Sequence, residues 1–136
     1  DGVADVIQAA AGDAIRGVVV SFEPNYADLT LMYRKASTLR YVYVADDPEQ
    51  VFEVQEDAVG GALAAVDVGL NADIVVAAGS TGTGLSGMEL DTSTKASTTA
   101  QLRILGFVQR PDNEIGANAK VLVRINEHEL ASTTGA

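Results

Sequence analysis

From Ile15 to Asn126 the chain sets short runs of Val, Ile, Leu, Phe and Tyr between clusters of Gly, Asp, Asn and Pro. That is the punctuation of successive strands and turns. The runs at residues 15–22, 29–33, 39–45, 51–55, 66–70, 74–78, 102–108 and 120–126 are the predicted strands. Side chains two apart in a strand share a face. In 51–55, Phe52 and Val54 stand together against Val51, Glu53 and Gln55, which predicts one buried face. In 39–45, Leu39, Tyr41 and Tyr43 share one face and Arg40, Val42 and Val44 the other, so apolar groups on both sides predict a central strand. The turns have mechanisms: in Asp46-Asp47-Pro48 and Arg110-Pro111-Asp112-Asn113, proline presets φ and short polar side chains bond the backbone.

Outside these runs the pattern weakens. Residues 1–14 are Ala-rich, with a faint helical spacing at Val3, Val6 and Ile7, and read as a partly extended N-terminal arm able to pack on a neighbour. Residues 60–65 suit either a helical turn or a tightly packed crossing. Residues 79–100, crowded with Gly, Ser and Thr, read as a long loop or hairpin with an embedded strand at 86–90. The small, polar residues 131–136 read as a flexible tail. The fold class expected is all-β: a jelly-roll-like sandwich or small β-barrel of roughly eight strands over residues 15–130, preceded by the arm at 1–14.

Composition narrows the function. The 136 residues suffice for one domain that buries roughly two-thirds of its unfolded surface. With no cysteine, thiolate nucleophiles and zinc–thiolate sites are absent, and synthesis in a reducing compartment is expected. The net charge of -10, from 9 basic and 19 acidic side chains, opposes a phosphate backbone, so no nucleic-acid partner is expected. No apolar run reaches the roughly 20 residues of a membrane helix, and residues 1–12 lack the basic flank and apolar centre of a secretory signal, so no membrane partner is expected either. The chain begins at Asp1 rather than Met: either a short leading piece is removed or the sequence starts after it.

Candidate chemistry is sparse. Gly82-Thr83-Gly84-Leu85-Ser86-Gly87 is a literal G-x-G-x-x-G after an apolar run, but a dinucleotide site needs a helix to open there, and Asp91-Thr92-Ser93-Thr94 disfavours one. The expected reading is a loop. His128 is the only histidine, and its neighbour Glu127 would point to the opposite face of a strand, so no metal or acid–base set is expected. Asp46, Asp47, Glu49, Glu53, Glu56 and Asp57 cluster without the regular spacing of a calcium loop and read as a solvated acidic turn. No G-x-S-x-G elbow accompanies the many serines. The expectation is therefore no enzyme, no cofactor and no metal. The one basic concentration is Tyr33-Arg34-Lys35 with Arg40 and Arg16, a candidate contact for a partner protein.

Two stretches carry a resemblance. One is Thr38-Leu39-Arg40-Tyr41-Val42-Tyr43-Val44-Ala45-Asp46-Asp47-Pro48-Glu49-Gln50-Val51-Phe52-Glu53-Val54-Gln55-Glu56-Asp57. The other runs from Leu102-Arg103-Ile104-Leu105-Gly106-Phe107-Val108-Gln109-Arg110-Pro111 through Asp112-Asn113-Glu114-Ile115-Gly116-Ala117-Asn118-Ala119 to Lys120-Val121-Leu122-Val123-Arg124-Ile125-Asn126. Together they resemble head-decoration, or cement, proteins of tailed bacteriophages. The resemblance implies a jelly-roll or related β core, assembly as a homodimer or homotrimer, and a place on the outside of an icosahedral capsid after synthesis in the host cytoplasm. There it would brace adjoining subunits of the major capsid protein, with residues 1–14 and 79–100 as contact segments. The alternative is a structural or binding module of the phage tail or fibre, which shares this Gly- and Thr-rich β composition.

Overall fold

The computed structural model describes residues 4–131, and these are predominantly β, with two single 3-10 turns as the only helical elements. Eight strands form: β1 (Val18–Phe22), β2 (Val42–Ala45), β3 (Val51–Gln55), β4 (Asn71–Ala72), β5 (Ile74–Val75), β6 (Glu89–Leu90), β7 (Leu102–Phe107) and β8 (Lys120–Ile125). They make three antiparallel sheets: a β1–β2 ribbon, a four-stranded sheet in the order β3-β8-β7-β4, and a β5–β6 pair. No closed barrel is found among the described residues.

The core lies on one face of the four-stranded sheet. Cross-strand pairs Leu102–Ile125, Ile104–Val123 and Phe107–Val121 are buried together, and β3 adds Phe52 and Val54 at the edge, as its alternation requires. A bulge between Ile104 and Gly106 shifts the register by one, which returns Phe107 to the inner face after Leu105 has turned outward. Leu63, Ile74 and Leu90, from the segment between β3 and β7, close over this face. The arm is tied to the same core: Ala9 packs on it, and the buried Gln101 donates from Nε2 to the carbonyls of Ala10 (2.8 Å) and Asp13 (2.7 Å) while its Oε1 accepts from the Ile74 N–H (3.0 Å).

Several expectations are corrected. Residues 29–33 form no strand: the Asp28 carboxylate accepts from the Thr30 N–H (3.0 Å) and hydroxyl (2.6 Å), a local turn that outcompetes pairing. Residues 66–70 give way to a 3-10 turn at Ala65–Asp67, because the Asp67 carboxylate caps the Ala64 N–H (2.9 Å) and pairs with the Lys95 ammonium (3.1 Å). The strands expected at 74–78 and 86–90 shrink to Ile74–Val75 and Glu89–Leu90. The run 39–45, expected in a sheet centre, yields only Val42–Ala45, and that strand has one neighbour instead of two. The tail expected at 131–136 lies outside the described residues except for Ala131.

Candidate protein-binding surface

The β1–β2 ribbon leaves Val18, Val19, Val20 and Tyr43 exposed, while Phe22, Val42, Val44 and Ala45 are half-buried. Its pairing runs from Val18–Ala45 to Phe22–Val42, with a bulge at Val20. Gly17 permits the entry, since a Cβ there would collide with the Ala45 carbonyl oxygen. Val19, Val20, Tyr41 and Tyr43 are each more than half exposed, and so are Tyr26, Leu29, Met32 and Leu39 of the connecting loop. Leu39 is 89% exposed. A surface of this kind rarely stands open to water in a solitary soluble protein. Between the ribbon and the arm lies an open cleft of about 820 Å³, lined by Val6, Ile7, Ala9, Val19 and Val44 with Arg16 and Asp46 at its rim.

The five residues singled out as a basic contact all belong to this region but do not form one patch. Arg16 precedes β1 and lies between the carboxylates of Asp46 (3.5 Å) and Glu129 (3.9 Å). Tyr33, Arg34 and Lys35 sit in the loop from β1 to β2, where Arg34 donates to the Thr38 carbonyl (2.6 Å) and the Thr38 hydroxyl donates to the Lys35 carbonyl. Arg40, at the entry to β2, donates to Asn25 Oδ1 (3.2 Å) and to the Leu39 carbonyl (2.9 Å). A strand of five residues, roughly 17 Å, therefore separates Arg16 from the others.

The acidic cluster is dispersed into structural partners. Glu49 pairs with Arg124 (2.7 Å), Glu53 takes a two-pronged contact from Arg110 (2.9 and 3.1 Å), and Asp57 accepts from the Thr92 N–H (3.0 Å) and hydroxyl (2.8 Å). Burial works against the Asp57 carboxylate, but these bonds and one from the Val59 N–H outweigh it and lower its pKa. At Asp67 the Ala64 N–H is the largest influence; it and Lys95 lower the pKa against the cost of burial. Among the described residues no group of three or more His, Cys, Asp or Glu is placed to hold a metal ion. His128 is buried; its Nδ1 accepts from the Leu130 N–H (3.0 Å), and the backbone on either side of it pairs with Ile15.

The glycine motif builds a loop. Gly84, at φ +70°, and Gly87 pack with their open faces on the carbonyl oxygens of Met32 and Ala78, and the chain runs from Gly87 into β6 with no helix between. Sequence reasoning missed one feature. Arg103 of β7 and Arg124 of β8 are direct cross-strand partners on the outer face of the four-stranded sheet, beside the partly exposed Leu105 and Leu122. The alternation within each run places each arginine outward, but only the register sets them opposite one another.

No protein-family model, curated protein or solved structure gives a significant match to this chain.

Proposed function

We propose that this chain is a structural virion protein that binds the outside of an icosahedral phage shell and braces adjacent major capsid subunits. One observation carries the protein-binding part of this reading: residues 18–43 bring Val18, Val19, Val20, Tyr26, Leu29, Met32, Leu39, Tyr41 and Tyr43 to the surface as exposed apolar side chains in one ribbon and its connecting loop, while the buried apolar core gathers on the four-stranded sheet. A brace needs a firm body and a surface that gains energy by leaving water, and apolar burial at about 25 cal/mol per Å² supplies that gain without specific chemistry. Many copies on a repeating lattice then add their modest contacts through avidity. The assignment to a phage shell comes from the resemblance of residues 38–57 and 102–126 to cement proteins. The jelly-roll-like sandwich belongs to the same proposal; it draws support from Leu63, Ile74 and Leu90 closing over the sheet as a partial second layer.

The test is co-sedimentation of the purified chain with unexpanded and expanded shells of its cognate major capsid protein, followed by cryo-electron microscopy. Stoichiometric density over the expanded shell, with a raised shell melting temperature, is the expected result. Density confined to the tail would replace this reading with the tail-module alternative, and no binding to either particle would end both.

A further inference from the structure

The four-stranded sheet buries one face and turns the other outward. On the outward face, register lines up one row across all four strands: Val51 of β3, Arg124 of β8, Arg103 of β7 and Asn71 of β4. That row holds two arginines and no acidic side chain. Lys120 stands four residues before Arg124 on the same face of β8, with the exposed Leu122 between them, as strand alternation requires. Four of the nine basic side chains, these three and Arg110, thus come from β7, β8 and the connection between them, in a chain of net charge -10.

The nearby carboxylates do not neutralise this face. Glu53, the only acidic residue in the four strands, is already held by both prongs of Arg110 (2.9 and 3.1 Å). Arg124 meets Glu49 at 2.7 Å, but the Glu49 side chain is 76% exposed, and an ion pair so open to water is weak and readily exchanged. Among the described residues, Arg103 and Lys120 have no carboxylate partner. Two like charges set opposite one another repel. A carboxylate placed between them reverses the sign, because each guanidinium offers it a planar fork of N–H donors.

We propose that the outward face of the four-stranded sheet is a second protein-binding surface, on which Arg103 and Arg124 together take an acidic side chain of the partner. The surface lies in a different sheet from the ribbon and requires no shell. Two observations favour an acidic protein segment over a phosphate backbone. Val51, Leu105 and Leu122 are exposed beside the arginines, so apolar contact surrounds the charge, as at the centre of a protein interface. The outward positions also carry no aromatic ring on which a base could stack, since Phe52 and Phe107 turn to the core. The acidic remainder of the chain does not prevent the contact, because at physiological ionic strength exposed charges beyond roughly 8 Å are largely screened.

The test is nuclear magnetic resonance of the isotope-labelled full chain, titrated at constant ionic strength with a capped peptide of about eight residues alternating Glu and Ala. The side-chain Nε–Hε signals of Arg103 and Arg124 should shift saturably, with no comparable change at Arg34 or Arg40 and none with the peptide in which Gln replaces Glu. Arg103→Gln combined with Arg124→Gln should weaken binding about tenfold or more, with an unchanged β circular-dichroism spectrum, while Arg34→Gln should leave it unchanged. No saturable shift, an equal response to the Gln peptide, or shifts spread alike over all the arginines overturns the proposal. An oligothymidylate that moves the same signals at lower concentration than the Glu peptide makes this a phosphate site and overturns the protein partner. Should the double variant unfold, the wild-type shifts decide alone: changes confined to residues 103–105 and 122–124 support the surface, and changes centred elsewhere refute it.

Discussion

Gln101 shows how much one uncharged side chain can organise. It is fully buried, and its amide satisfies two carbonyls of the arm and one N–H of β5, while its own carbonyl accepts from Asn126 and Glu127. Gln101→Leu keeps the volume but strands three backbone groups, at a cost of about 2–4 kcal/mol. The expected result is a melting temperature lower by on the order of 10 °C, with faster elastase cleavage within residues 4–14. Unchanged cleavage would show that the arm is held by other contacts. Asp57 and Asp67 give a second prediction at this scale. Both have native pKa values below the aspartate value of 3.8, so the unfolded chain binds the more protons between the two values, and stability falls as pH drops through that window. Asp57→Asn keeps an acceptor for Thr92 but removes the titration; urea melts of this variant should show a shallower loss of stability below about pH 4 than the wild type. Identical acid slopes would remove Asp57 from the account.

At the scale of elements, register decides which residues act on one another. Arg103 and Arg124 face each other across β7 and β8, and among the described residues Arg124 has a carboxylate partner in Glu49 while Arg103 has none. Directly opposed like charges are unfavourable by a few tenths to about 1 kcal/mol, so Arg103→Glu should raise the melting temperature by a few degrees at low salt, with the gain shrinking as salt screens the pair. No gain at low salt would mean that solvent already neutralises the contact. The loop crossing at Gly60 is a packing constraint of the opposite sign. A Cβ there would strike the backbone of Thr92 and Ser93, so Gly60→Ala should cost about 1–3 kcal/mol in a urea melt, whereas Gly106→Ala, with open space around it, should stay within about 0.5 kcal/mol. Runs of strand-like composition failed to become strands for an equally local reason. Asp28 directly precedes the run 29–33 and Asp67 lies within the run 66–70; each carboxylate captures a backbone N–H, and a turn held by such a bond forms without waiting for a partner strand.

For the whole molecule the consequence of the ribbon is thermodynamic. If a partner protein covers the ribbon, folding and binding are linked, and the melting temperature should rise with added shell protein for the wild type but not for a variant carrying Val20→Lys and Tyr41→Lys, both at exposed ribbon or flanking positions. A melting temperature that ignores added shell protein in both chains would separate the fold from any binding at the ribbon. The candidate surface was only partly visible beforehand. Arg16, Tyr33, Arg34, Lys35 and Arg40 were singled out by their charge and lie in or beside the same stretch of chain, but the exposed Val and Tyr side chains between them looked like core, because apolarity on both faces of 39–45 is what a central strand also shows.

The amino-acid order was enough for the β class, for most of β3, β7 and β8, for the Pro and Asx turns that end strands, and for reading the glycine motif as a loop. Each of these depends on neighbours within a few residues, through side-chain alternation, fixed φ or a short polar bond to the backbone. Sheet membership, the bulge that returns Phe107 to the core, the Arg103–Arg124 pair, Gln101's hold on the arm and the bare ribbon depend on pairings between residues tens of positions apart. Such pairings are chosen by how apolar faces meet in space, and a hydrophobic strand carries the same composition whether that face meets its own sheet or the surface of another chain.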